Sequence, residues 1–340
     1  MNEVPGWASG AATGVGSLPY ENVVEATRTV VGELPDLPHL PELPGRGVAG
    51  GMIGRTCALL AELHVDLQPA GWRLTPGEGL DERRAKSLLA QDLDALEEVA
   101  QGYQGPLKVQ ATGPWTLAAS VERPKGDRVL ADHGARRELA QSLAEGLKDH
   151  VADVRRRVPG AQVLVQLDEP SLPAVLAAGI PTASGFSRHR AVSGQDARER
   201  LAEVNATIEA AGAFPLVHSC AANVPFALLH AAGARGLSFD VHQISDAQLE
   251  HLGVAVDDGV VLFVGAVPSE DPDPANRRPP MTDADVARQV TTFVRRIGFG
   301  EDLAATGTVI TPTCGLAGAS PDWARRAMEL ARQAAILTKR

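Results

Sequence analysis

The sequence has few cysteines, few aromatic residues and no long apolar run, and each shortage excludes a class of protein. Only three of the 340 residues are cysteine, too few for the disulfide framework of a small secreted domain. No apolar stretch approaches the roughly 20 residues that cross a bilayer, and no signal peptide is visible at the N-terminus. The net charge of −10 argues against non-specific binding to nucleic acid. We therefore expect a cytoplasmic protein with neither a nucleic-acid nor a membrane partner.

The composition allows a large core with few aromatic side chains in it. Apolar residues make up 44% of the chain and aromatic residues only 4%, so the core must consist mainly of Ala, Val and Leu. A chain of 340 residues is long enough for two domains, but α/β barrels reach this length as one unit. We expect residues 1–340 to form a single catalytic barrel.

Eight extended segments alternate with helix-like stretches along the chain. The segments are 13–18, 39–43, 107–111, 163–168, 214–220, 236–240, 260–267 and 308–314. Such alternation predicts a parallel sheet, and eight units without a G-x-G-x-x-G fingerprint favour a closed (β/α)8 TIM barrel. An open, Rossmann-like sheet is the alternative. Two longer connections, 122–127 and 270–280, are expected to be surface loops or lids over the mouth of the barrel.

Two of these segments end in residues that commonly bind metals. His218 and Cys220 are two residues apart at the end of one apolar run, so both side chains point to the same side, and Cys314 ends another. Two thiolates and an imidazole suit Zn²⁺, and three ligands with an exchangeable fourth position are typical of catalytic zinc. The simpler interpretation is that the cysteines are small buried apolar residues. A purely structural zinc is less consistent with ligands so far apart in sequence.

Polar residues follow three further strands. Asp168 and Glu169 are adjacent, so only one carboxylate should face the mouth, while the other orients a loop or binds a backbone amide. Gly16 and Ser17 end the first segment, where they allow close approach of a ligand and offer a hydroxyl and an amide. Trp115 follows the third segment, where it would either stack on a flat heterocycle or pack in the core.

These strand-end motifs together resemble a known family. G-S-x-P at 16–19, T-G-P-x-T at 112–116, Q-x-D-E-P at 166–170, H-x-C at 218–220 and C-G-L at 314–316 occur in this order. The combination resembles the C-terminal catalytic barrel of cobalamin-independent methionine synthase, in its short, single-barrel form. That family binds Zn²⁺ and methylates homocysteine.

The resemblance implies roles for individual residues. The implied zinc ligands are His218, Cys220, Asp240 and Cys314. Asp240 stands where the family has Glu, and His242 is the alternative fourth ligand. Gly16, Ser17 and Asp168 would bind the amino-acid part of homocysteine, and Trp115 would bind the methyl donor.

The sequence departs from the family pattern at two functional positions. The seventh loop has no counterpart of the family's proton-donating His, so Glu270, or Asp271 beside it, is the candidate acid. The family's glutamate for the substrate amino group has three candidates here, Glu42, Glu62 and Glu78.

We expect a zinc-dependent S-methyltransferase that converts homocysteine to methionine with methyltetrahydrofolate or another methyl donor. Only a thiolate is a good nucleophile, and a thiol near its ordinary pKa of about 8.5 is mostly protonated at neutral pH. Zinc is expected because its coordination deprotonates a bound thiol. One alternative is a zinc methyltransferase that takes its methyl group from a corrinoid protein and acts on another thiol. The other is a non-catalytic protein with structural zinc.

Overall fold

The computed structural model describes residues 4–273 and 280–339, and nine strands and twelve α-helices lie within these ranges. The strands are β1 Ala11–Ala12, β2 His64–Gln68, β3 Gly71–Thr75, β4 Gly105–Thr112, β5 Ala161–Asp168, β6 Phe214–Ser219, β7 Gly236–Asp240, β8 Val261–Val267 and β9 Thr308–Pro312. The helices are α1 Val23–Glu33, α2 Met52–Cys57, α3 Leu80–Val99, α4 Pro114–Ser120, α5 His133–Arg157, α6 Leu172–Leu176, α7 Gly194–Ala210, α8 Phe226–Ala231, α9 Asp246–Asp257, α10 Asp283–Arg296, α11 Asp302–Thr306 and α12 Pro321–Thr338.

Seven strands form a curled parallel sheet in the order β1-β9-β8-β7-β6-β5-β4. Helices separate the strands in sequence, as parallel crossovers require. The fold is therefore α/β and TIM-barrel-like, which confirms the predicted class. The parallel register places the ends of β4 to β9 at one edge of the sheet, with Asp168 beside His218 and His218 beside Ser238.

The segment predicted as the second strand does not form a regular strand. It is hydrogen-bonded to β4 on one side and to the residues that follow β1 on the other. On one side Leu40 N–H donates to Lys108 O on β4 at 2.8 Å, and on the other Glu42 N–H donates to Gly16 O at 3.1 Å. The prolines around it, Pro35, Pro38, Pro41 and Pro44, have no N–H to donate, so only isolated bridges form here.

The outer helices have the caps and apolar stripes that amphipathic helices require. At the start of α10, Thr282 and Asp285 form a reciprocal capping box, and the buried side of the helix carries Val286, Val290 and Phe293. Among the described residues, no helix is both long enough and apolar enough to span a membrane.

The amino end of the barrel is filled by a separate apolar cluster. Trp7 packs edge-on against Phe214, with ring centroids 5.2 Å apart, and also contacts Phe263. Leu164 and Val309 complete the layer. The N-terminal segment thus closes the end of the barrel opposite to the strand ends that carry the predicted site.

One element was missed from the sequence. Strands β2 and β3 form an antiparallel hairpin, and the stretch after α4 adds to it, because Glu122 N–H donates to Trp72 O at 2.8 Å. The expected lid at residues 122–127 is therefore tied to this hairpin. Of the second expected lid, residues 274–279 lie outside the described residues.

Candidate metal and substrate site

His218, Cys220 and Cys314 come together at the carboxyl end of the barrel. One ligand atom from each lies within 4.8 Å of the others, and no other such group of three or more occurs in the part of the chain that the structure describes. The two cysteines are 94 residues apart in the sequence. They follow strands β6 and β9, which end at the same edge of the sheet. The predicted convergence of these three residues is thus present.

The free nitrogen of His218 makes this group suitable for a metal. Ser238 Oγ lies 2.8 Å from Nδ1 and fixes the ring, while Nε2 is buried and has no hydrogen-bond partner. A metal-binding histidine is normally held in this way through its other nitrogen. Two sulfurs and one nitrogen form a donor set that fits Zn²⁺.

The pKa values of the Cys220 and Cys314 thiols are shifted in opposite directions. The hydrogen bond from Cys220 is the main reason why the pKa of Cys314 is held well below its usual range. The same bond, together with burial, raises the pKa of Cys220. One sulfur of the pair is therefore already stabilised as the thiolate that a metal requires.

The two candidates for the fourth ligand lie differently. Asp240 is half-buried at the end of β7 and accepts a hydrogen bond from His242 N–H at 2.9 Å. Burial raises the pKa of Asp240, and the nearby charge of Cys314 adds to this effect. The His242 side chain is exposed and borders a groove with Arg288 and Phe293 of α10. Neither belongs to the close group of ligand atoms, but Asp240 lies near enough to Cys314 for the charge of Cys314 to affect its pKa.

A cavity of about 290 Å³ adjoins the three ligands. Its wall consists of Val15, Gly16, Ser17, Glu42, Pro44, Met52, Asp168, Pro170, His218, Cys220, Cys314 and Gly315. The wall contains apolar side chains, two carboxylates and the Ser17 hydroxyl. Of the three candidate glutamates, only Glu42 lines it, since Glu62 and Glu78 are exposed.

The Asp168 carboxylate is held from below by a buried polar network. Gln166 Nε2 donates to Asp168 Oδ1 at 2.7 Å and to Val15 O at 2.9 Å. Lys108 Nζ donates to the same carbonyl at 2.8 Å. Burial, and then the charge of Glu42, raise the pKa of Asp168, which Lys108 opposes. Burial lowers the pKa of Lys108 to about 7, against the effect of Asp168 and Glu42. The sequence analysis assigned no role to Lys108, which shares β4 with the polar residues Gln110 and Thr112.

Glu169 has the structural role that strand alternation predicted for one of the two adjacent carboxylates. It is fully buried and accepts hydrogen bonds from the backbone N–H groups of Trp115 and Thr116, both at 2.8 Å, at the start of α4. Burial raises the pKa of Glu169 to about 7, although these hydrogen bonds oppose the shift. A Cβ at Gly113 would lie 2.4 Å from its Oε1, so glycine is needed for the carboxylate to reach the amides.

Ser17 and Gly315 pack closely against each other. Leu316 N–H donates to Ser17 O at 2.8 Å, which joins the loop after β9 to the end of the first strand. A Cβ at Gly315 would lie 2.1 Å from Ser17 Oγ. The glycine of C-G-L therefore leaves space for the Ser17 hydroxyl in the cavity.

Trp115 is not brought to the cavity. Its side chain is 1% exposed, and the indole N–H donates to Ala197 O on α7 at 3.0 Å. Arg136 lies over the ring, 5.8 Å from its centroid. This environment does not support the predicted stacking on a methyl donor, and it matches the alternative of core packing.

The candidate acids of the seventh loop lie outside the cavity wall. Glu270 is exposed. Asp271 accepts hydrogen bonds from the hydroxyl and the N–H of Ser320 at the start of α12, and the hydroxyl bond is the main reason why the pKa of Asp271 is lowered. A carboxyl group with a lowered pKa is poorly suited to donate a proton at neutral pH.

The fold and this site define a class: a TIM-barrel-like protein with a histidine, two cysteines and two buried carboxylates around a cavity at the carboxyl ends of its strands. Residues 95–336, more than half of the chain, match the family described as cobalamin-independent synthase, catalytic domain. The chain belongs to this family, as the motifs of its sequence indicated. A search of curated protein sequences gave no significant match.

A solved structure shares the fold of this chain. A B12-independent methionine synthase from Shewanella sp. W3-18-1, solved in complex with selenomethionine, is 14% identical, and the alignment covers 98% of both chains with a TM-score of 0.62. A GH5_18 protein from Streptomyces cattleya in complex with GlcNAc is 15% identical over 100% of this chain and 81% of that one, with a TM-score of 0.47. At 14% identity the likeness to the first structure concerns the fold alone, and the likeness to the second is too slight to add to it.

Proposed function

We propose that this protein is a zinc-dependent S-methyltransferase that converts homocysteine to methionine. The observation that carries the proposal is the position of His218, Cys220 and Cys314 on the wall of a cavity that also contains Ser17, Glu42 and Asp168. A thiol that enters this cavity meets three metal-binding side chains and two carboxylates in its wall. Family membership supports the same reaction.

The carboxylates and Ser17 are proposed to bind the amino-acid part of the substrate. Asp168 and Glu42 lie close enough for the charge of Glu42 to raise the pKa of Asp168. A substrate ammonium group between them would relieve this repulsion, because each carboxylate then has an opposite charge nearby. The hydroxyl of Ser17, with the backbone beside Gly16, offers donors for the substrate carboxylate.

His218, Cys220 and Cys314 are proposed to hold the metal, with Asp240 as the fourth group. A zinc ion bound there would lower the pKa of the substrate thiol, so that the sulfur is available as a thiolate for attack on the methyl group. Ser238 keeps the His218 ring oriented through Nδ1, and the apolar wall formed by Val15, Met52 and Pro170 limits access of water.

The proposed methyl donor depends on the two candidate acids of the seventh loop, Glu270 and Asp271, neither of which lines the cavity. A folate is a poor leaving group unless its ring nitrogen is protonated. Trp115 is buried, and Asp271 is bound to Ser320 with a lowered pKa. We therefore predict weak activity with methyltetrahydrofolate and stronger activity with a more reactive methyl donor. None of the residues that the structure describes favours a corrinoid protein as a partner.

The experiment is an assay of methionine formation from homocysteine by the zinc-loaded protein. Methyltetrahydrofolate and methylcobalamin would be supplied separately, with Cys220→Ala as the inactive control. Methionine formation that depends on Cys220 supports the proposal. If neither donor gives methionine above the level of the control, the proposed reaction is wrong. Rapid turnover with methyltetrahydrofolate that survives loss of both Glu270 and Asp271 would show that the proton comes from elsewhere.

A further inference from the structure

A chain of buried charges runs from the outer helix α3 to the cavity. Asp92 on α3 is 0% exposed and pairs with two guanidinium groups, those of Arg55 on α2 and Arg46, the latter at 2.5 Å. Arg55 is 3% exposed, and its Nε lies 3.5 Å from Oε1 of Glu42. Glu42 in turn lines the cavity. The order of contacts is Arg46, Asp92, Arg55, Glu42.

The charges of this chain suit a site that must accept an ammonium group. Arg55 faces two carboxylates, and a buried guanidinium strongly prefers to be neutralised by close partners. The contact with Asp92 is the closer one, while that with Glu42 is longer than a good hydrogen bond. Arg55 is therefore held mainly by Asp92, and the Glu42 carboxylate, which makes only the longer contact, remains able to accept a second cation.

We propose that Asp92 is a positioning residue that makes the site selective for substrates with an α-amino group, acting through Arg55 on Glu42. If Asp92 lost its charge, Arg55 would draw Glu42 into a closer ion pair. The carboxylate would then be less available to an ammonium ligand. This inference rests on the proposed function, because it takes the amino acid of that reaction as the ligand of Glu42.

A binding experiment tests the inference without requiring turnover. Calorimetry on the purified full chain would compare L-methionine with 4-(methylthio)butanoate, which has the same skeleton but no amino group. We expect Asp92→Asn to weaken methionine binding about tenfold, within the range of coupling in buried charge networks, and to change binding of the analogue less than about twofold.

Glu82→Gln is the matched control. Glu82 is also a buried carboxylate on α3, and it pairs with Lys86 at 2.7 Å, but its partners do not contact Glu42. This variant should lose stability as Asp92→Asn does, yet keep the preference for methionine over its analogue. Equal weakening of both ligands by Asp92→Asn would overturn the inference, because it would show a merely structural role.

A second variant covers the case in which Asp92→Asn does not fold. Arg55→Lys keeps the charge but cannot make paired contacts with two carboxylates, so it should reduce the preference for methionine. An unchanged preference in Arg55→Lys, or no preference in the unaltered protein, would also overturn the inference. Methionine binding with the expected preference but without methyl transfer would contradict only the proposed function.

Discussion

The two ends of this barrel are built from the same strands but from different kinds of residue. At the amino end, Trp7, Phe214 and Phe263 fill the interior with apolar contacts. At the carboxyl end, the same strands β6 and β5 present His218 and Asp168 to a cavity. Inward-facing residues two apart along a strand thus pass from packing to chemistry within a few positions. The difference teaches that stability and function are separable here, because they occupy opposite ends of one element.

The largest effect on folding is expected at the amino end. Phe263→Ala would leave a cavity beside Trp7 and should lower the free energy of unfolding by about 3 to 5 kcal/mol. Chemical denaturation measures this change, and binding of zinc by the folded fraction should be unaltered. Phe186→Ala is the control, because Phe186 is 97% exposed and its loss should cost less than about 0.5 kcal/mol. Loss of zinc in the folded Phe263→Ala protein would break the separation of the two ends.

The second prediction concerns the fourth ligand at the carboxyl end. Asp240→Ala should weaken zinc binding by about 10- to 100-fold, because the carboxylate ends β7 and lies near enough to Cys314 for the charge of Cys314 to raise its pKa. His242→Ala should leave zinc affinity unchanged, since its side chain is exposed beside α10. Competition with a chromogenic chelator measures both. The reverse pattern would make His242 the ligand.

The third prediction sharpens the comparison to two neighbouring residues. Glu169→Gln replaces one of the two carboxylate oxygens that accept three hydrogen bonds by an NH2 group, so at least one donor loses its acceptor. This should lower the free energy of unfolding by about 1 to 3 kcal/mol, with methionine binding retained. Asp168→Asn should do the opposite, weakening methionine binding about tenfold while leaving the free energy of unfolding unchanged or higher. Denaturation and calorimetry on both variants provide the test. Similar behaviour of the two variants would contradict the assigned division of roles.

This pair also shows what the sequence could predict. Alternation along β5 was enough to predict that one carboxylate faces the mouth and that the other orients a loop or binds a backbone amide. The same rule placed His218 and Cys220 on one side of β6. These features depend on local geometry, which sequence spacing fixes.

Features that depend on distant contacts were harder to predict. The role of Trp115 could not be settled, because its burial depends on α7 and Arg136. Lys108 and the Asp92 network were missed, since nothing local distinguishes a buried charge from an exposed one. The hairpin β2–β3 did have a local signal, the alternation in His64-Val65-Asp66-Leu67-Gln68 before a proline-containing turn.

The smallest effect is expected at Gly315. In Gly315→Ala the new methyl group would displace the Ser17 hydroxyl, so methionine should bind about three- to tenfold more weakly. Gly318→Ala lies in the same loop with nothing within 4 Å of its Cβ and should bind as the unaltered protein does. Isothermal titration of both variants decides the matter. Equal affinity in both would mean that Ser17 does not contact the ligand.

The central claim is that His218, Cys220 and Cys314 form a zinc site, and metal analysis of the purified protein tests it most directly. We predict one zinc per chain, lost in Cys314→Ser without loss of the fold, because the ligands lie at the mouth and not in the core. Cys57→Ser is the matched control, since Cys57 is fully buried outside the ligand group and its replacement should leave zinc in place. A wild-type protein that contains no zinc and takes none up when it is supplied would contradict the claim.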